Sequence, residues 1–473
     1  MFEITCELKN DGKVPLYLQL YDYFKQEIQS GRISAHSKLP STRRLSQHLG
    51  TSRNTIDAAY QQLLAEGYVR SAARRGLFVE KLYLYSEQAA PVVSGLTTSD
   101  NNSTTDDALH TAEFDFRQDG VDLDCIPLRA WKKLSSQTFS EEHLHLCLNG
   151  DSQGEPELRQ EIADYLFQSR GVNCLPEQVV IGTGNQYLLT LLCSLIGRDK
   201  AYAVEEPGFH RARAVLENTG LECLSVPLDE HGIDITALRK SQAQVAYVTP
   251  SHQFPFGTIM PIARRRELIQ WAKDTQGFII EDDYDGEFRY LGKPIPALQG
   301  LDEGGRTLYL GTFSKALFPS MCVSYMVIPP ALLADYRDKF SLYKQTVPRA
   351  QQYTLARFMQ EGYWERHLNR VRNHYKKKRA FLMEVLEQEM DARLCIRSSE
   401  SGLHILLAPN NGMSECELIE TAAQKGVGVY PISAYYHDDI PTRSEPLILL
   451  GFGVIPTSEI EMGIRKLNAA WFG

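Results

Sequence analysis

At about 150 residues per domain, a chain of 473 residues holds roughly three structural units and can bury large cores, which excludes a single small module. Hydrophobic residues at 43%, charged residues at 23% and 33 Gly with 22 Pro all lie near globular averages, which excludes a fibrous or wholly disordered protein. The net charge of -9 is unevenly placed: residues 1–82 carry 12 Lys and Arg against 8 Asp and Glu, leaving -13 on the remainder, so the first segment alone suits a polyanion.

Met1 to Glu7 has neither the basic start nor the apolar run of a secretory signal, and no stretch approaches the roughly 18 apolar residues of a membrane span. The nine cysteines, at 6, 125, 147, 174, 193, 223, 322, 395 and 416, are odd in number and never spaced C-x-x-C. That pattern predicts neither a disulfide framework nor a metal site, and a reducing cytoplasm is expected.

The first predicted helix runs over 16–30, with Leu20, Phe24 and Ile28 on one face and Gly31 as its stop. From Leu39 to Ile56, two short helical patterns flank a turn containing Gly50, the grammar of a helix-turn-helix. The second of them starts at a Thr51 or Ser52 cap, ends near Gly67 and turns Ile56, Tyr60, Leu63 and Leu64 inward. Its outer face offers Arg53, Asn54, Asp57 and Gln61. Laid in a major groove, it brings Arg53 or Asn54 to base edges while Thr55 or Arg43 holds a phosphate. Tyr68–Arg70 and Leu77–Val79 then read as two strands whose turn, with Arg74, Arg75 and Gly76, makes a basic wing. Through Leu39-Pro40-Ser41, Ser52-Arg53 and Gly76-Leu77-Phe78-Val79, this segment resembles the winged-helix domain of the GntR regulators. The resemblance implies operator DNA as partner, touched by Arg43, Arg53, Asn54, Thr55, Arg75 and Gly76.

A polar tract from Glu87 to Thr111 has no periodic apolar face, and a linker is placed at 83–112. Beyond it, the apolar runs Val179–Ile181, Ala201–Val204, Val245–Val248, Phe278–Ile280 and Leu308–Leu310 alternate with helical patterns. Such runs predict a mostly parallel sheet buried on both faces. Ligands of such sheets bind beyond the strand ends. Three of those ends carry distinctive residues: Gly182-Thr183-Gly184-Asn185-Gln186, a glycine turn into an apolar helix; the acidic run Glu281-Asp282-Asp283-Tyr284-Asp285; and Gly311-Thr312-Phe313-Ser314-Lys315. Amides at a helix start suit a phosphate, while an amine with apolar neighbours suits a Schiff base. For the acidic run alone, water-facing carboxylates are the ordinary expectation.

These segments, with Phe114-Asp115-Phe116-Arg117, Glu157-Leu158-Arg159, Glu206-Pro207-Gly208-Phe209 and Thr249-Pro250-Ser251-His252-Gln253-Phe254-Pro255, resemble the fold type I aminotransferases. Joined to the winged helix, they resemble the MocR-type branch of the GntR regulators. The resemblance implies a multidomain fold: an α+β winged helix-turn-helix over 1–82, then an α/β fold type I domain over 113–473. That second domain is expected to have a mostly parallel central sheet and a smaller C-terminal α/β subdomain from about 345. It implies pyridoxal 5'-phosphate as cofactor and a homodimer, with Lys315 forming the internal aldimine, Asp282 at the pyridinium nitrogen and Tyr284 at the ring oxygen. Gly184, Asn185, Thr312 and Ser314 fall around the phosphate, and Phe209 and Phe254 also with the cofactor. Arg211 falls where some relatives grip an effector carboxylate.

Three departures stand out. Cys322 replaces a phosphate-binding arginine, whose loss weakens cofactor binding by roughly ten to a hundred and fifty times. Phe256 interrupts the usual Pro-Thr-Gly turn, and the strand Pro446 to Phe452 lacks the arginine that holds a substrate carboxylate. The expected function is a transcriptional regulator that senses an amino compound through external aldimine formation at Lys315, without appreciable transaminase turnover. Two alternatives stand beside it: an active aminotransferase with a fused DNA module, and a regulator that has lost the cofactor through Cys322.

Overall fold

In the computed structural model, residue 8 and residues 14–72, 75–81, 112–118, 120–290, 295–397, 401–438 and 445–473 are described. Arg74 of the expected wing and nearly all of the expected linker lie outside them. The chain divides into two compact units, Met1–Asn102 and Ser103–Gly473.

In the first unit, the helix Leu16–Gln29 buries Leu20, Tyr21, Phe24 and Ile28, the stripe predicted by its spacing plus one tyrosine. Ser41 caps the helix Thr42–Leu49 by accepting from the Arg44 amide at 3.3 Å, and Gly50 ends it at φ 62. Ser52 caps the next helix, Arg53–Ala65, by accepting from the Thr55 amide at 3.1 Å. Each cap satisfies an amide that has no partner within its helix, worth about 1 kcal/mol. Ile56, Ala59, Tyr60 and Leu63 face the core; Leu64, expected there, is only half-buried, at the edge of that stripe. The hairpin pairs Val69–Ala72 antiparallel with Gly76–Val79, from Val69 opposite Val79 to Ala72 opposite Gly76.

The second unit is built on an eight-stranded sheet in the order Val179–Gly182, Ser324–Val327, Thr307–Thr312, Phe278–Asp283, Val245–Val248, Ala201–Glu206, Glu222–Asp229, Gly232–Ile233. The five strands from Thr307–Thr312 to Glu222–Asp229 are mutually parallel, and Ser324–Val327 runs against both its neighbours. All five expected strands are present. Sequence reasoning missed Ser324–Val327, which opens on a serine, and Glu222–Asp229, whose polar residues and Pro227 obscure any apolar run. Burial on both faces explains the apolar strands: Ile279 packs with Leu268 and Trp271 on one side, Ile280 with Leu188 and Leu192 on the other.

Towards the C-terminus, Leu394–Arg397, His404–Pro409, Ile448–Gly451 and Tyr430–Pro431 form a separate antiparallel sheet. The helices Tyr363–Met390 and Thr457–Trp471 pack in the same core as this sheet. Among the described residues, no helix is long and apolar enough to cross a membrane, and no cluster of three His, Cys, Asp or Glu is placed to hold a metal.

Candidate functional site

Parallel strands end at one edge of their sheet, so the residues that follow them converge. There a cavity of about 470 Å³ is lined by Gly184, Asn185, Phe209, Arg211, Asp282, Tyr284, Thr312, Ser314 and Lys315, together with Gln118, Tyr247, Cys322 and Ser324. The structure thus brings together nine of the ten cofactor and effector candidates. Phe254 stands one layer back, stacked on Phe209 with ring centroids 4.3 Å apart. Phe209 also meets Tyr284 edge-to-face at 4.7 Å.

The acidic run is buried throughout rather than facing water: Glu281 is 0% exposed, Asp282 and Asp283 5%, and Asp285 4%. The strand expected to stop at Ile280 continues to Asp283, so the period of two sends these acids to opposite faces. Glu281 accepts from the Leu298 and Gln299 amides, each at 2.8 Å. Asp283 pairs with Arg170 at 2.6 Å and accepts from the Tyr309 hydroxyl at 2.6 Å. These two acids hold the scaffold. Asp282 alone of the three strand acids reaches the cavity, where it accepts from Asn185 Nδ2 at 2.9 Å and from the Tyr247 hydroxyl.

Burial is the main force on the Asp282 carboxyl and pushes it up to about 7, against the lowering effect of Tyr247 and Asn185. Folded protein therefore holds a proton at Asp282 that unfolded protein has lost, from the usual carboxylate range up to about 7. Over that window the group's contribution to stability falls as pH rises. Asp282→Asn removes this loss. In ligand-free protein, the melting temperature of the variant minus that of the parent should grow by roughly 2 to 5 °C between about pH 5 and about pH 8. A constant difference would mean that Asp282 ionises as it does in water.

Lys315 follows the strand Thr307–Thr312 on a loop tied back by Phe313 N to Val323 O at 3.0 Å and Leu317 N to Phe313 O at 2.9 Å. Its Nζ donates to the Gln118 carbonyl at 3.1 Å. Around it, Thr312 Oγ1 accepts from the Ser314 amide at 3.2 Å and from Ser324 Oγ at 2.9 Å. The helix Gly184–Ile196 starts three residues earlier than its apolar run suggested, which puts Gly184 and Asn185 in its first turn with outward amides. Cys322 stands exposed at this end of the cavity, with φ 50 and ψ 37. Arg211 is exposed at the mouth, in the first turn of the helix His210–Asn218.

Sequence reasoning assigned no role to Tyr247, Gln118, Arg170 or His252. Tyr247 carried a signal, as the one polar tip in the buried strand Val245–Val248. Gln118 acts through its backbone carbonyl, which no side-chain pattern discloses.

In the first unit, Arg43, Arg53, Asn54 and Arg75 are exposed, while Thr55 is half-buried with its hydroxyl 2.9 Å from Ser52 Oγ. Arg75 lies over the Phe78 ring at 5.8 Å from its centroid. Gly76, at φ 104, leaves room for Lys38, whose Cε a Cβ would meet at 3.1 Å.

The description "Bacterial regulatory proteins, gntR family" matches residues 16–79, and "Aminotransferase class I and II" matches residues 119–442. The HTH-type transcriptional regulator YdeL of Bacillus subtilis is 44% identical over 99% of this chain and 99% of its own length. The probable rhizopine catabolism regulatory protein MocR of Rhizobium meliloti is 30% identical over 98% of this chain and 95% of its own. Among solved structures, a kynurenine aminotransferase of Pyrococcus horikoshii is 25% identical, with a TM-score of 0.68 over 77% of this chain and 92% of its own. A helix-turn-helix of one family fused to an aminotransferase fold of another, with relatives matched from end to end, places the chain in the MocR-type branch of the GntR transcriptional regulators.

Proposed function

We propose that this chain is a pyridoxal phosphate-dependent transcriptional regulator. Residues 1–82 hold operator DNA, and the domain over 113–473, joined to them by a linker at 83–112, registers an amino compound at Lys315. The observation that carries the reading is one cavity holding both the Lys315 amine and the buried Asp282 carboxyl, whose partners Asn185 and Tyr247 are neutral. A buried carboxyl with neutral partners gains when a protonated nitrogen is brought against it.

The residues present fit the cofactor. Asp282 suits a protonated ring nitrogen, Tyr284 a ring oxygen and Phe209, backed by Phe254, a ring face. The first-turn amides at Gly184 and Asn185 and the hydroxyls of Thr312 and Ser314 suit a phosphate. Asn185 Oδ1, an acceptor beside Asp282, is buried without a hydrogen-bond partner and suits a donor such as a protonated ring nitrogen, while a Cβ on Gly184 would meet nothing within 4 Å, which leaves open space there. When bound, pyridoxal phosphate supplies an aldehyde that condenses with amines. Lys315 would hold that group, and Arg211 suits a carboxylate on the effector. An arginine-free Ile448–Gly451 strand favours sensing over repeated transamination. An effector biases regulation only through unequal affinity for two states of the protein.

A homodimer follows from the same reading. It is supported by the exposed large apolar residues Leu123, Leu128, Phe139, Leu144 and Leu148, all within one stretch of the chain.

The DNA role is tested by mobility shift on the region upstream of the protein's own gene. Arg53→Ala should relax discrimination at one base pair by roughly 5- to 150-fold. Arg75→Ala should weaken binding evenly across sequences and lower the salt slope by about one phosphate. Unchanged shifts in both variants would place the reading head elsewhere.

A further inference from the structure

We propose that His252, fixed by Asp285, is a positioning residue that turns the Tyr284 hydroxyl hydrogen into the cavity, so that Tyr284 donates to an oxygen on the ligand's ring. This rests on the cofactor reading above and deepens it. His252 Nδ1 lies 2.7 Å from Asp285 Oδ2 and 2.9 Å from the Tyr284 hydroxyl oxygen. A carboxylate has no proton to give, so the proton of the short contact sits on Nδ1 and is donated to Asp285. With its one hydrogen directed to Asp285, Nδ1 has no lone pair left to accept from the phenol, so the hydrogen of Tyr284 must point elsewhere. Tyr284 lines the cavity, and burial pushes its phenol well up, so it keeps that hydrogen.

The other side of the imidazole agrees. Nε2 is buried with no hydrogen-bond partner, and in this tautomer it carries no hydrogen to strand. The ring is also walled in. His404 lies 5.2 Å away centroid to centroid and donates its own Nε2 hydrogen to the Pro255 carbonyl at 2.9 Å. Gly402, at φ +75, approaches so closely that a Cβ there would fall 2.1 Å from His252 Cε1. A ring held on three sides has one orientation in which to serve Tyr284.

The test titrates full-length protein with pyridoxal phosphate and with 3-deoxypyridoxal phosphate, which lacks the ring oxygen, and reads the ratio of the two dissociation constants. The parent should prefer pyridoxal phosphate by roughly tenfold or more, and Tyr284→Phe should bring the ratio near one. His252→Phe and Asp285→Asn should each lose most of the preference, and His252→Phe added to Tyr284→Phe should lose no more. His252→Asn, which restores a side-chain N–H, should recover part of it. General loosening cancels in the ratio, and Asp285→Asn decides should His252→Phe fail to fold. A parent-like ratio in Asp285→Asn, or in a folded His252→Phe, overturns the inference and leaves the cofactor reading intact. A parent that takes up neither ligand overturns both.

Discussion

Full-length protein incubated with pyridoxal phosphate and dialysed should show a visible absorption band that Lys315→Ala lacks entirely. Borohydride reduction of the parent should fix one pyridoxyl group per chain, on the peptide containing Lys315. The expectation follows from position: Lys315 is the one lysine among the described residues that line the cavity. Its amine already faces the cavity wall, where it donates to the Gln118 carbonyl at 3.1 Å. The loop around it does not depend on the side chain. Ala316 O takes the His367 Nε2 hydrogen at 2.6 Å, and the backbone bonds at Phe313 and Leu317 remain in the variant. Loss of a half-buried lysine of this kind costs stability of about 1 kcal/mol or less, so absence of the band cannot be laid to unfolding. A band of parental intensity in Lys315→Ala would remove this amine from the mechanism. The same samples separate a sensor from an enzyme. Given an amino compound, the parent should release no more than about one equivalent of keto acid per chain, whereas steady accumulation over many turnovers would make it an aminotransferase.

What the sequence disclosed and what it hid divide along a physical line. Helix stripes, caps and buried strands are local, so the stripe of Leu16–Gln29, the Ser52 cap and the five apolar strands were legible. Roles within the acidic run were not, because they depend on facing. Glu281, Asp282 and Asp283 look alike in sequence, and only the continuation of the strand to Asp283 decides which of them enters the cavity. The partners that make the others structural are remote: Arg170 stands 113 residues from Asp283, and no pattern around either announces the pair. A cluster of carboxylates reads as solvent-facing on composition alone, and burial with such partners reverses that reading. Phe209 and Phe254 show the same limit. Both belong to matched motifs, but their 4.3 Å stacking puts one at the cavity wall and the other behind it.

Cys322→Arg should tighten pyridoxal phosphate binding by roughly ten to a hundred and fifty times and leave the affinity for pyridoxal, which has no phosphate, nearly unchanged. In the parent, the donors suited to a phosphate are the amides at Gly184 and Asn185 and the hydroxyls of Thr312 and Ser314, and Cys322 lines the same cavity. Amides and hydroxyls hold a dianion through neutral donors, and a guanidinium adds a charge-assisted, bidentate contact to such a set. Two structural costs that ordinarily accompany a new arginine are small here. Cys322 already occupies the left-handed region at φ 50, so another side chain meets a strain that the backbone bears in the parent. Its thiol makes only a long contact to the Pro319 carbonyl, at 3.5 Å, and its exposure leaves room for a longer chain. Spectroscopic titration of parent and variant with both aldehydes gives the two ratios. An arginine that tightened both equally would be acting on the ring or the lysine rather than on the phosphate. One that changed neither would mean that the phosphate is anchored away from residue 322.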